Sequence, residues 1–386
     1  MNTQTSNTST KSARRWDIDW LRLLATLLLF YIHPSRIFYV WDPFYIKNDQ
    51  LSVVASWISL FIDHWHMPLF FVLAGAASWF ALRRRTGGQY VVERLKRLLV
   101  PFIFGFLVIV PPQLYFAARH QRPDYAESYL QFYPRFFDSG FTGGIDMGQL
   151  WYILYLFVFS LIALPLFLYL RRESGGRLLN KVTEFLTRPG MIFVPVVLPL
   201  LADALLPHFY PNPLYYITYF LLGYILVADA RFERTIDRHK LVALIVGVGL
   251  FVTWMVLTLT KVIDPDWLKP VRTTLIAWCC LIALLGYARQ FFRSANKFLA
   301  YFGQAGYPLY IIHQTVIIIL GFYVVQWQAG VLLKLLTIMV GSFVITTVLY
   351  DLAVKRTNIT RFLFGMKPLK KQQPGAPSTR QEEPAA

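Results

Sequence analysis

Residues 21–41 read LRLLATLLLFYIHPSRIFYVW. The stretch is long and apolar enough for a membrane helix, yet Arg22 and His33 lie inside it. A guanidinium and an imidazole are costly in hydrocarbon, and such residues normally face a bundle interior or a wet cavity. At about 100° per residue, the spacing puts both side chains within roughly 20° of one helical face and about 16 Å apart along the axis. Asp19, three residues before Arg22, shares that face and can hold its guanidinium. A polar path along one side of a transmembrane helix accounts for all three. So does a blander arrangement, with Arg22 snorkelling to the interface and His33 a hydrogen-bonded packing residue.

The rest of the chain repeats the membrane signal. Its 386 residues are 56% hydrophobic and only 15% charged, against about 25% charged for a soluble domain. Apolar stretches near the length of a bilayer span recur at 18–40, 52–82, 96–116, 149–170, 190–206, 213–229, 241–260, 270–288, 304–327 and 330–353. This pattern predicts an all-α integral membrane protein with about ten transmembrane helices. The second stretch is too long for one straight crossing. Its first part, LSVVASWISLFIDHWH, suits the interface before MPLFFVLAGAASWFAL crosses. The fifth is short and ends in a Pro-rich loop, which suits a tilted or irregular element.

The net charge is +17, but the basic residues collect in alternate loops. These are the N-terminal tail, RRRTGGQYVVERLKR, RRESGGRLLNKVTEFLTR, ARFERTIDRHK, RQFFRSANK and KRTNITRFLFGMKPLKK. That is a topology signal rather than a nucleic-acid patch, and no nucleic-acid partner is expected. It predicts an N-in/C-in arrangement, which needs an even number of spans. The expected organisation is a disordered cytosolic tail at 1–15, one membrane domain at 16–356, and a mostly disordered cytosolic tail at 357–386. Lys11, Arg14 and Arg15 imitate the start of a signal peptide, but no small-x-small cleavage site follows, so the segment reads as a retained first span. The N-x-S/T triplets at Asn7 and Asn358 fall on the cytosolic side and carry no weight. Cys279 and Cys280 are neighbours in an apolar run and read as packing residues. The opposite side holds the longest loop, 117–148, rich in Tyr and Phe; long loops are often functional or disordered.

Several segments could carry chemistry. In DHWHMPLFFVLAG, His64 and His66 are two apart, so a helix points them away from each other and makes them a poor metal pair. With Asp63 they suit a membrane surface. Gly75, beside Ala74, Ala76 and Ala77, permits close approach of a neighbouring helix or a ligand. In VVERLKRLLVPF, Arg94 and Arg97 are spaced i and i+3 at the cytosolic mouth of a span. Arginine forks suit phosphate, although a topogenic cluster has the same composition. GQLWYILYLF puts Gln149, Trp151, Tyr152 and Tyr155 at the outer start of a span, as an interfacial belt or as acceptor contacts. In GQAGYPLYIIHQTV, His313 follows Tyr310 by three residues on the same face. The sequence has no G-x-S-x-G elbow, H-E-x-x-H, Walker motif or cysteine metal site, and no metal is expected.

Taken jointly, these segments resemble the membrane acyltransferases of the acyltransferase-3 type, which O-acylate extracytoplasmic glycans. WDIDWLRLLATLLLFYIH is similar to the family's first-helix motif of an Arg and a later His. MPLFFVLAGAASWF resembles its second-helix "FF-x-x-SG" element, and RLKRLLVP its arginine pair followed by proline. QLWYILYLF is similar to its "HLWFL" element and GYPLYIIH to its late "SY-x-LY-x-x-H" element. The order and spacing agree along nearly the whole chain. Two positions depart: Ala74 stands where a serine is common, and Gln149 where a histidine is common. The stretch after the last span is too short for an appended SGNH-type transferase domain, and none is expected. The second-helix style is similar to the branch that includes the succinyltransferases of periplasmic glucans.

The resemblance implies a bacterial inner-membrane enzyme. It would move an acetyl or succinyl group from acetyl-CoA or succinyl-CoA to a hydroxyl of an extracytoplasmic carbohydrate or lipid-linked glycan, among membrane lipids. It implies His33 as general base, supported by Arg22 and Asp19. It implies Arg94 and Arg97 on the acyl-CoA phosphates, with Trp151, Tyr310 and His313 on the acceptor side. The competing class is a polytopic transporter or exporter of a glycan or anionic substrate, which would also need intramembrane Arg and His. Inverted-repeat symmetry would favour it, and none is visible in the sequence.

Overall fold

The computed structural model describes residues 15–138, 146–207, 209–261, 265 and 267–369. The tail readings at 1–14 and 370–386, the Asn7 triplet and the stretch 139–145 of the long loop lie outside the described residues. Among those described there is no strand. The helices, in chain order, are α1 (Trp16–Arg36), α2 (Val53–Leu82), α3 (Gly87–Gln121), α4 (Tyr129–Arg135), α5 (Trp151–Ile162), α6 (Leu164–Leu170) and α7 (Glu173–Leu186). There follow α8 (Val197–Leu205), α9 (Pro213–Leu226), α10 (Ala230–Leu259), α11 (Leu268–Phe291), α12 (Lys297–Val324), α13 (Val331–Val354) and α14 (Asn358–Leu363).

Local chemistry starts these helices where side chains can satisfy the orphan amides of a first turn. Ser52 accepts from the Ala55 amide ahead of α2, Asn212 from Leu214 and Tyr215 ahead of α9, and Asn296 from Leu299 ahead of α12. Thr86 and Gln89 form a reciprocal capping box on α3. Asp229 caps α10, and the hydrogen bond from the Arg231 guanidinium holds its carboxyl below the ordinary carboxylate range.

Among the described residues, six helices are long and apolar enough to cross a membrane: α2, α3, α10, α11, α12 and α13. The number rises to eight if two bent pairs each count as one span, α5 with α6 (47°) and α7 with α8 (112°). Pro165, near the start of α6, explains the first bend, since proline removes a helical hydrogen bond. All ten stretches expected as spans contain helix, but at most eight enter this count. α1 stands outside it, diluted by Asp17, Asp19, Arg22, His33 and Arg36, as does the 14-residue α9. The stretch 52–82 forms one helix of 30 residues with Pro68 inside it, rather than two elements. At 1.5 Å per residue it is about 45 Å long, so it overhangs a hydrocarbon core of about 30 Å.

The helices sort by burial into an inner and an outer set. The apolar windows of α2, α11 and α12 are 67%, 67% and 72% buried, while those of α10 and α13 are 17% and 28% buried. α10 turns Leu241, Val242, Ile245 and Leu259 outward, and α13 turns out Leu332, Leu333 and Val340. Continuous apolar faces of that kind are untenable in water and ordinary against lipid. The protein is a multi-pass integral membrane protein. α1 packs against α2, α11, α12 and α13, with His33 partly covered and Arg22 exposed.

Candidate active site

The lower part of α1 is tied down by charge. Arg15 pairs with Asp17 at 2.7 Å and reaches Glu233 of α10 at 2.5 Å. One turn on, Asp19 and Arg22 form the expected pair at 3.4 Å, with the arginine half exposed. Arg22 and Arg94, from α1 and α3, both lie within electrostatic reach of the buried Tyr152 hydroxyl. The Arg94 guanidinium sits 4.4 Å from the centre of the Tyr90 ring, and its Nε is buried without a partner among the described residues. Tyr90 is held by a 2.9 Å hydrogen bond from its hydroxyl to Ser78 on α2.

Arg97 has a different attachment: its Nε is 3.3 Å from Glu93, which also holds Arg85. The chain passes from α- to π-helical winding at Leu95–Leu99, directly after Arg94. A π turn winds less per residue than an α turn, so i,i+3 spacing no longer stacks the two arginines on one stripe. Arg94 acts on Tyr152, as Arg22 does, while Arg97 is paired within its own helix.

At the other end of α1, His33 meets His313 of α12. Their ring centres are 5.0 Å apart, and Phe44 lies over His33 at 6.3 Å. His313 is fully buried and its Nδ1 is 2.6 Å from the Tyr310 carbonyl. His33 Nδ1 and His313 Nε2 are buried with no partner among the described residues. His33 itself keeps partial exposure. Arg36, one turn beyond His33, is held by Asp63 of α2 and stacks over Tyr39 at 4.3 Å. Of the sequence-predicted set, Arg22, held by Asp19, and Arg94 act on Tyr152, and His33 and His313 meet at the other end of α1. Tyr310 stands between, its ring 5.5 Å from Tyr152 and 5.7 Å from His313. Trp151 joins neither, packing against Phe71, Tyr155 and Tyr216.

A family model for an acyltransferase domain matches residues 15–351. The chain belongs to the acyltransferase-3 family. Its similar relatives include the glucans biosynthesis protein C of Salmonella paratyphi B, Salmonella agona and Salmonella dublin. Each is 20% identical over 387 residues, covering 95% of this chain and 98% of theirs. No solved structure matches it. The protein is an acyltransferase of the membrane.

Two features of this acyltransferase escaped the sequence, and a third decides between two readings it left open. The first is His66, expected at a membrane surface with His64 and Asp63. Asp63 is paired with Arg36 of α1. His66 is 2% exposed and donates through Nε2 to the Ala25 carbonyl of α1 at 2.7 Å, between the levels of Arg22 and His33. Its separation from His64 holds: that ring turns to Phe251 and Trp254 of α10. Because α2 runs unbroken through this segment, His66 projects inward with Phe70, four residues on; that spacing was the available signal.

The second is a buried amide cluster. Gln113 Nε2 donates to Gln149 Oε1 at 3.0 Å and to Thr315 at 2.8 Å, and Gln314 Nε2 donates to Gln113 Oε1 at 3.0 Å. Gln149 Nε2 donates to the Ile311 carbonyl at 2.6 Å, while the Tyr310 hydroxyl donates to the Gln149 carbonyl. Thr315 donates to the Ile109 carbonyl at 2.7 Å, at the end of the π turn Gly105–Ile109. Such turns release carbonyls from the helical ladder, and here a side chain takes one up. Gln149, a departure from the family pattern, therefore clamps α12 at the level of His313.

The third is the use made of the glycine in the second-helix motif. A Cβ on Gly75 would lie 1.9 Å from the Phe220 carbonyl oxygen, and one on Gly223 would lie 2.0 Å from that of Val72. Gly75 serves a backbone-to-backbone crossing of α2 and α9, not a ligand. Ala74 leaves its carbonyl to Ser78 at 3.0 Å.

Proposed function

We propose that this acyltransferase moves an acetyl or succinyl group from cytosolic acyl-CoA to a hydroxyl of an extracytoplasmic glycan or glycolipid in the bacterial inner membrane. The observation that carries the reading is the division of the polar groups along α1. Cationic Arg22 and Arg94 lie near one end, and unpartnered imidazoles are buried beyond them. A donor with anionic phosphates and a long arm matches the first, and a hydroxyl that must lose a proton matches the second. The relatives' name, glucans biosynthesis protein C, supports a glucan as acceptor. On this reading residues 16–356 form one membrane domain of ten spans, counting α1 and α9, with both termini cytosolic.

Arg94 has an unsatisfied Nε and a guanidinium stacked on Tyr90, so it is pre-oriented for a phosphate oxygen. Arg97, shared with Glu93, adds positive potential at the same mouth. Asp19 steers Arg22 along the polar face towards the donor. His33 takes the acceptor's hydroxyl proton as the oxygen attacks the thioester carbonyl carbon; the carbon–sulfur bond breaks and the sulfur receives that proton. Holding donor and acceptor at one imidazole contributes through orientation. Tyr310 has its hydroxyl committed to Gln149 and shapes the acceptor side, and Trp151 offers a half-buried ring at the outer mouth.

Purified, correctly inserted His33→Ala protein should lose acyl transfer from acetyl-CoA or succinyl-CoA to glucan; undiminished turnover would end the assignment. Arg94→Ala should raise the apparent KM for acyl-CoA about tenfold or more, the scale of one charge-assisted hydrogen bond, with a smaller change in kcat.

A further inference from the structure

We propose that His313 selects the tautomer of His33, making it a positioning residue for the acyl-transfer base. The inference rests on the reading of His33 given above. It starts from a backbone carbonyl, which can only accept. Tyr310 O lies 2.6 Å from His313 Nδ1, so Nδ1 carries the hydrogen. His313 is fully buried and no carboxylate touches it among the described residues, and a buried imidazole without a counter-charge stays neutral. Its Nε2 is therefore a bare lone pair.

That lone pair is unpartnered, as is the buried Nδ1 of His33 on the facing helix. The ring centres are 5.0 Å apart. No hydrogen bond joins the two nitrogens as the rings stand, but ring centres this close leave them within reach of one after a turn of either side chain. Catalytic hydrogen bonds are often long in the free enzyme and tighten when substrate arrives. Only one assignment lets these two buried atoms serve each other when the contact closes: His33 bears its hydrogen on Nδ1 and offers it to His313 Nε2. Any other strands two buried nitrogens, each costing about 1–3 kcal/mol. The same assignment leaves His33 Nε2 bare, on the ring edge away from His313.

The neighbours do not compete for this role. His66 has its Nε2–H committed to Ala25, and Arg36 is held by Asp63 and Asp42. The support runs further back: α12 is clamped at this level by Gln149, whose amide donates to the Ile311 carbonyl. During transfer the acceptor's proton goes to His33 Nε2 and then to the leaving sulfur, and His313 gives up no proton.

The test uses the full chain, with 15N-labelled histidine, in lipid nanodiscs. Nitrogen chemical shifts should place the His33 proton on Nδ1 in the wild type. His313→Leu should lose that preference and lower kcat about 100-fold, the scale of a positioned base, with KM for acyl-CoA and acceptor within about twofold. His313→Gln places an amide oxygen where Nε2 was, and should keep both the Nδ1 proton and most of the turnover. A wild-type proton on Nε2, or a His313→Leu protein with unchanged tautomer and kcat, overturns the role of His313 alone. An active His33→Ala protein overturns the base assignment and this role with it. If His313→Leu fails to fold, the wild-type spectrum and the His313→Gln protein still decide.

Discussion

At the residue scale, the site depends on how each buried polar atom is satisfied. Gln113 illustrates this, because its one amide serves three partners: Gln149, Thr315 and Gln314. Gln113→Leu fills a similar volume but strands those partners, at about 1–3 kcal/mol for each left unpaired. The expected result is a melting temperature lowered by several degrees, read by tryptophan fluorescence, with kcat falling because α12 is no longer clamped beside His313. Little of this cluster was legible beforehand. Gln113 and Gln314 are two hundred residues apart in the chain, and a lone glutamine in an apolar run carries no periodic signal. Arg22 and His33 were legible because the helix repeat alone places them on one face.

At the element scale, helix crossings and changes of winding decide which side chains meet. α2 and α9 touch backbone to backbone at Gly75 and Gly223. Gly75→Ala should force the helices apart and cost roughly 1–3 kcal/mol, the usual scale of overpacking. Gly75→Ala and Gly223→Ala should be less than additive, because both open the same crossing. Gly249, on the outward face of α10 with nothing within 4 Å of an added Cβ, is the control. Gly249→Ala should leave the melting temperature unchanged or slightly raised. The motif around Gly75 was read from sequence as a place of close approach; that the approaching object is a helix is a fact of packing. The winding of α3 was not readable at all. Nothing in RLKRLLVP announces a π turn, yet that turn separates the partners of Arg94 from those of Arg97.

At the scale of the whole molecule, the lipid-facing and inward-facing helices make a bundle with its polar groups inside. If the interior binds acyl-CoA, the folded state should gain stability with ligand concentration, by about 2.7 kcal/mol at one hundred times Kd. A thermal shift with acetyl-CoA or succinyl-CoA, absent with an uncharged thioester of the same acyl group, is the expected result. No shift with either CoA would count against acyl-CoA as the donor. Orientation is testable separately in a Cys279→Ser/Cys280→Ser background. A cysteine at Glu173 should resist a membrane-impermeant maleimide in spheroplasts, and one at Asp124 should react. The reverse pattern would invert the N-in/C-in arrangement.

By itself the sequence determined the membrane class, the all-helical fold and the family, because apolar run length, charge and motif order are properties of the chain read along its length. It also placed Asp19, Arg22 and His33 on one face, because the helix repeat is local. Only tertiary structure decided that His313 stands beside His33, that His66 lies in the core and that Gln149 clamps α12. Those outcomes depend on contacts between helices far apart in sequence, set by close packing at glycines and by the demand that every buried polar atom find a partner.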